Sequence, residues 1–165
     1  MPVRELDARQ EWDAAVGRLL GEAALAESRM ALLLRVLAGI EGPAAAAVLP
    51  ADVPGMAGLA EDLLAVHVRD RPLAEDLRRW VRAVGRLCAL RTTVVHAVWE
   101  LRDEDGRAVM HPARGSGPVG GRSPMTAGEL SRTTVAACRH LGPVADELLV
   151  RLDKAAPELA VFSRR

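Results

Sequence analysis

The sequence predicts an all-α fold, a four-to-five-helix bundle with a small β-hairpin ahead of the last helix. Three observations predict it. Trp12, Val16, Leu19, Ala23, Ala26, Met30, Leu33, Leu37 and Ile40 keep a four-three spacing without a slip, as one packed helical seam requires. Leu73, Leu77, Trp80, Val84, Leu87, Val94 and Val98 keep the same spacing with one position missing. Half of the 165 residues are hydrophobic, chiefly Ala, Leu and Val, and there is no Tyr, a balance that favours helices over sheets.

The first seam predicts a helix from about Asp7 to Ile40, stopped by Gly42-Pro43. Pro43 to Pro54 reads as a connector. A second helix is expected from about Pro54 to Val68, with Asp52 as N-cap and Met56, Leu59, Leu63 and Val66 buried. Asp70-Arg71-Pro72 interrupts the chain, and Pro72 opens the third helix in its first turn. After Trp99 the period changes. Trp99 to Arg102 and Arg107 to His111 flank Asp103-Glu104-Asp105-Gly106, the pattern of a hairpin turn. The Gly- and Pro-rich residues 113–124 read as a flexible loop. Thr126 and Glu129 form a capping-box pattern at the start of the last helix. Leu130, Ala137, Leu141, Val144, Leu148 and Leu152 supply its buried face, Gly142-Pro143 is expected to bend it, and Pro157 ends it. The whole chain, 1–165, reads as a single domain with residues 158–165 as a tail.

Composition narrows the function classes. One Phe and three Trp give no aromatic platform on which bases could stack. Cys88 and Cys138 show no disulfide or zinc spacing and read as small core residues. There is no Walker loop, dinucleotide-binding Gly pattern or nucleophile elbow. His96 and Glu100 have helical i,i+4 spacing, but no second His/carboxylate pair accompanies them, so neither a metal nor a cofactor is expected. No apolar run approaches a membrane span and the N-terminus is charged, so a cytoplasmic protein with no membrane partner is expected.

The net charge is zero but divided. Residues 1–70 carry six basic and eleven acidic side chains, and residues 71–165 carry sixteen and eleven. Arg78, Arg79, Arg82, Arg86 and Arg91 fall in 77–99 without an acid among them. That stretch reads either as a footprint for a polyanion or as a face docked on the acidic N-terminal half. Arg78, Arg82 and Arg86, with Arg114 and Arg122 in the loop, are the candidate nucleic-acid contacts.

The missing seam position is Arg91. A guanidinium on a buried stripe is costly unless it is paired. It therefore reads as a salt bridge to Glu22 or Glu27, or as a phosphate site at a cleft or subunit interface. His96, five residues on, lies about 140° around the helix from Arg91, so one straight helix does not aim both at one point. The two could converge where the helix ends or where two chains pair. Thr92 lies one turn before His96 on the same side, where its hydroxyl could orient the imidazole.

Arg91-x-x-x-x-His96 within LRTTVVHAVW resembles the signature of the HEPN superfamily, in which an Arg precedes a His by four to six residues late in a helical bundle. The order of long first helix, short second, motif-bearing third, hairpin and final helix is similar to that of some small members. The resemblance covers most of the chain in architecture and about ten residues in motif. Thr92 stands where members often carry Asn. Many members are ribonucleases of prokaryotic toxin–antitoxin, antiphage and CRISPR-associated systems, and some are inactive binding modules. The resemblance implies a metal-independent endoribonuclease acting on RNA in a homodimeric cleft, with an antitoxin or another protein as partner. Arg91 and His96 would be catalytic, Arg91 stabilising charge on the phosphoryl oxygens and His96 moving the proton of the ribose 2′-OH or the leaving oxygen. Thr92 would orient His96. The alternative is a non-catalytic helical-bundle module, binding protein or nucleic acid, with Arg91 as a structural ion.

Overall fold

Thirty-six residues, Val3–Ala38, form one uninterrupted helix, α1, and the other helices pack along it. The computed structural model describes residues 3–40, 47–96, 98–102, 107–111 and 125–155. Helix α1 is followed by α2 (Val53–His67), α3 (Arg71–Val95), strands β1 (Val98–Arg102) and β2 (Arg107–His111), and α4 (Ala127–Ala155). Among the described residues the protein is mostly helical, and four helices make an all-α bundle. Both α1 and α3 touch every other helix, so they form the spine, with α2 and α4 flanking it. Strands β1 and β2 pair antiparallel with Trp99 opposite Met110, and β2 lies against α1.

The seam of α1 is buried from Trp12 to Leu37 except at Val16, which is half-buried while its neighbour Ala15 is buried, and Leu19, Ala23, Met30 and Leu37 are wholly out of solvent. The helix ends earlier than the Gly42-Pro43 pair, which lies outside the described residues. Gly39 takes φ +63°, a left-handed conformation that a Cβ disfavours. Its N–H then donates to the Val36 carbonyl and that of Ile40 to the Arg35 carbonyl, at 3.2 and 3.1 Å. This Schellman pair satisfies carbonyls that the last turn would otherwise leave open. Ile40, placed on the seam by spacing, therefore falls beyond the helix.

Local chemistry also starts the other helices. The Asp52 side chain accepts the Gly55 N–H at 2.7 Å, and Asp70 that of Leu73 at 3.1 Å. Pro54 and Pro72 occupy first-turn positions, where no N–H is needed. The Glu129 carboxylate accepts the Thr126 N–H at 2.8 Å while Thr126 Oγ1 accepts the Glu129 N–H at 3.2 Å, a complete capping box.

Two faces differ from the expected ones. Helix α2 buries Met56, Ala60 and Leu64, whereas Leu59 and Leu63 are half-buried and Val66 is 73% exposed. The helix lies between α1 and α3, and the 56-60-64 row, with alanine at its middle, points at both. In α4 the core row is Leu130, Thr134, Leu141, Ala145, Leu148 and Leu152, with Ala137 and Val144 half-buried beside it. Thr134 takes the row position its spacing demands, although it is polar. The α4 helix continues through Gly142-Pro143. The indole N–H of Trp80 on α3 donates to the Leu141 carbonyl at 3.0 Å, tying α3 to α4 beside that proline.

The Thr134 hydroxyl is fully buried and has no hydrogen-bond partner among the described residues. An unsatisfied buried hydroxyl costs about 1–3 kcal/mol. Thr134→Val keeps the shape and removes the polar atom. It should raise the melting temperature by about 2–4 °C per kcal/mol recovered, measured by calorimetry; an unchanged or lower value would mean the hydroxyl is satisfied.

Candidate functional site

The end of α3 is set by its own side chains. Thr92, Thr93, Val94 and Val95 are four β-branched residues in succession, a run that lowers helix propensity. The two hydroxyls turn back on the helix: Thr92 Oγ1 donates to the Cys88 carbonyl at 3.0 Å and Thr93 Oγ1 to that of Ala89 at 2.9 Å. The helix stops at the last residue of the run, Val95. His96 is its C-cap, with its N–H on the Thr92 carbonyl at 3.1 Å.

Arg91 meets the carboxylate that its seam position calls for. Its Nη1 lies 3.2 Å from Glu27 Oε2 on α1, with the two side chains 41% and 32% exposed. Of the two acids expected as partners, Glu27 is the one used; Glu22 faces the Cys138 thiol instead. The pair is not sealed. It borders an open cleft of about 390 Å³ between α2 and α3, lined also by Asp52, Pro54, Cys88 and Thr92. Glu27 and Asp52 give this cleft two carboxylates against one guanidinium, a balance that repels rather than gathers phosphate.

His96 and Thr92 are both exposed. The imidazole has no hydrogen-bond partner among the described residues, and the Thr92 hydroxyl gives its proton to the backbone, so within one chain Thr92 does not orient His96 through that proton. The structure thus holds Arg91 against α1 and leaves His96 at the solvent-facing tip of α3.

The other arginines are largely answered by carboxylates. Arg78 Nε lies 2.9 Å from Glu61 Oε2, and Arg82 Nη1 lies 3.6 Å from Glu61 Oε1, so one acid on α2 faces two candidate nucleic-acid contacts. Arg86 is exposed and has no ion pair among the described residues. Arg114 and Arg122 lie outside the described residues.

A feature that spacing did not single out is Asp76. It accepts from Arg79 one turn on and from Arg151 of α4 at 2.7 Å. The Arg151 hydrogen bond, then that of Arg79, hold its carboxyl below the ordinary carboxylate range. Asp76 also lines a cavity of about 690 Å³ between α3 and α4. The signal for this groove is Ala83 and Leu90, one position off the Trp80–Leu87 seam, which widen the apolar face of α3 beyond a single row. Burial raises the Cys88 thiol, and burial with the charge and hydrogen bond of Glu22 raises that of Cys138 to about 11. Both cysteines are free. Among the described residues no three His, Cys, Asp or Glu side chains could hold a metal ion together, and no helix is long and apolar enough to cross a membrane.

No family model, curated protein or solved structure matches the chain.

Two outcomes follow from the ion pairs. Because both Arg91 and Glu27 keep contact with water, their pair should be worth no more than about 1 kcal/mol. A double-mutant cycle of Arg91→Ala and Glu27→Ala in urea should return a coupling energy of about 0.2–1 kcal/mol; a much larger value would mean a desolvated pair. For Asp76 the folded pKa is depressed, so its stabilisation is complete above the unfolded value and is lost as pH falls through the folded one, below about pH 4. The urea midpoint should drop there for the wild type and drop less for Asp76→Asn; parallel pH profiles would exclude the linkage.

Proposed function

We propose that this chain is a non-catalytic helical-bundle module that binds a protein partner, with Arg91 serving as a structural ion. The observation that carries this reading is the Arg91–Glu27 pair across the bundle's spine. A guanidinium already answered by a carboxylate, beside a cleft with a second carboxylate, is poorly placed to receive a phosphodiester. The sharing of Glu61 by Arg78 and Arg82 supports the same reading, because it offsets one of those two positive charges in the footprint that a nucleic acid would need.

A second reading is favoured by one specific observation. Arg91, Thr92 and His96 all retain solvent contact on the last turns of α3, so a second chain docked there could face them with its own copies. On that reading the chain is a homodimeric HEPN-like endoribonuclease that needs no metal, of the kind used in toxin–antitoxin or antiphage systems, held in check by a protein partner. Arg91 would have to leave Glu27 to stabilise the phosphoryl oxygens, while His96 moved the proton.

Incubating the purified chain with RNA in EDTA decides between them. The module reading expects intact RNA, and Arg91→Ala should act mainly through a lower melting temperature. EDTA-resistant cleavage that leaves cyclic-phosphate ends and disappears in His96→Ala would overturn it in favour of the nuclease.

A further inference from the structure

Helix α1 has a second row on the side away from the core. Ala14, Gly17, Gly21, Ala24, Ser28 and Leu32 repeat at three and four residues, and all six are exposed. Helical rotation sets this row about 180° from the buried seam. Nine residues between 14 and 32 are exposed, and Arg18 alone among them is charged. A helix face turned to water ordinarily carries charge on every turn. This row carries none for about 27 Å, or five turns. Leu20 and Leu25 flank it and Leu32 lies on it, each more than a third exposed.

The two glycines serve nothing within the chain. Inside a helix glycine is less stable than alanine. A Cβ at Gly17 or Gly21 would meet no atom within 4 Å, so no neighbour in the fold requires its absence. What glycine supplies there is a hollow on the outer surface, open to a side chain or backbone from outside.

Self-complementarity names the occupant. Let a second α1 cross this face antiparallel, with Gly21 of both copies at the two-fold axis. Leu25 of each copy then falls level with Gly17 of the other, a large side chain at a hollow, and Ala14 falls level with Ser28. Leu20 meets Leu20 of the other copy across the axis. An antiparallel two-fold pair sets each edge of the helix beside the same edge of its copy. Arg18 and Glu22 share one edge, and each comes within about 3 Å, measured along the axis, of the other in the second copy. Neither has an ion pair among the described residues: Arg18 is exposed, and half-buried Glu22 faces only the Cys138 thiol. The symmetry forms this charge pair twice. A parallel pair sets the Arg18 edge beside the opposite one, where Leu20 lies and residues 14–32 offer no exposed acid.

We propose that the outer face of α1 is a homodimer interface, on which a second copy of the chain packs antiparallel with Gly21 at the two-fold axis. This goes beyond the module reading. It also differs from the pairing that the nuclease reading needs, which joins the last turns of α3.

Sedimentation equilibrium of the full chain tests it, and the wild type should be a dimer at micromolar concentration. Gly21→Glu has room within one chain but sets two carboxylates together at the axis, and Gly17→Leu fills the hollow opposite Leu25. Each should keep wild-type circular dichroism and weaken the dimer at least tenfold. Arg18→Glu and Glu22→Arg should each weaken it alone, and the two variants mixed should pair more tightly than either with itself, because opposite charges then face one another twice. Under mild oxidation Gly21→Cys should cross-link to its own copy. Ser28→Cys should not, lying about 21 Å along the axis from its counterpart. The proposal is overturned if the wild type stays monomeric at submillimolar concentration, or if Gly21→Glu and Gly17→Leu dimerise as tightly as wild type. It is overturned equally if mixing the charge variants brings no gain, or if Ser28→Cys cross-links as readily as Gly21→Cys. RNA cleavage bears on the two readings of function and leaves the oligomeric result readable by itself.

Discussion

An apolar stripe twenty-six residues long, from Trp12 to Leu37, cannot be left in water, and the rest of the fold is organised around covering it. Each of Leu19, Met30, Leu33 and Leu37 is worth about 1.5–3 kcal/mol when buried. No short helix spans such a stripe. Helices α2, α3 and α4 therefore share it, and α3 is the one that also contacts both of the others. Because α3 must lie along α1 to do this, its one charged seam position is brought against α1 as well, and the acid there is Glu27. The ion pair is thus a product of the packing as much as a contributor to it.

How much of this was legible in the sequence depends on how local the cause is. The caps at Asp52, Asp70 and Thr126 could be read because capping needs only a side chain and an N–H three residues on. The seams of α1 and α3 could be read, apart from Val16, which is half-buried, and Val98, which belongs to β1, because a long repeat averages out its exceptions. The face of α2 could not, since a fifteen-residue helix lying between two others is turned by both, and 56-60-64 competes with 56-59-63 on nearly equal terms. Thr134 was hidden for a different reason: hydropathy gives it no claim to a core row, and only the row's geometry puts it there. The end of α1 was displaced because a Gly-Pro pair is a louder stop than a lone Gly39, yet Gly39 comes first and can take the left-handed turn unaided.

The site was legible in part. The seam vacancy at Arg91 announced a paired guanidinium, and two acids on α1 were the natural partners. Which of them it is depends on the phase of α1 against α3, a tertiary quantity that spacing within either helix does not contain. The role of Asp76 was not readable, because its second partner, Arg151, is seventy-five residues away. The groove that begins at Asp76 is likewise a property of two helices side by side.

One consequence of the Glu27 contact concerns any anion that seeks Arg91. The carboxylate is a resident competitor, tethered to another helix and therefore present at an effective concentration no free ion reaches easily. Capturing the guanidinium means leaving Glu27 without its counter-charge, and this penalty would be felt where α1 and α3 are joined. Occupancy of the cleft and tightness of the spine would then be reciprocally linked, each opposing the other by the same free energy.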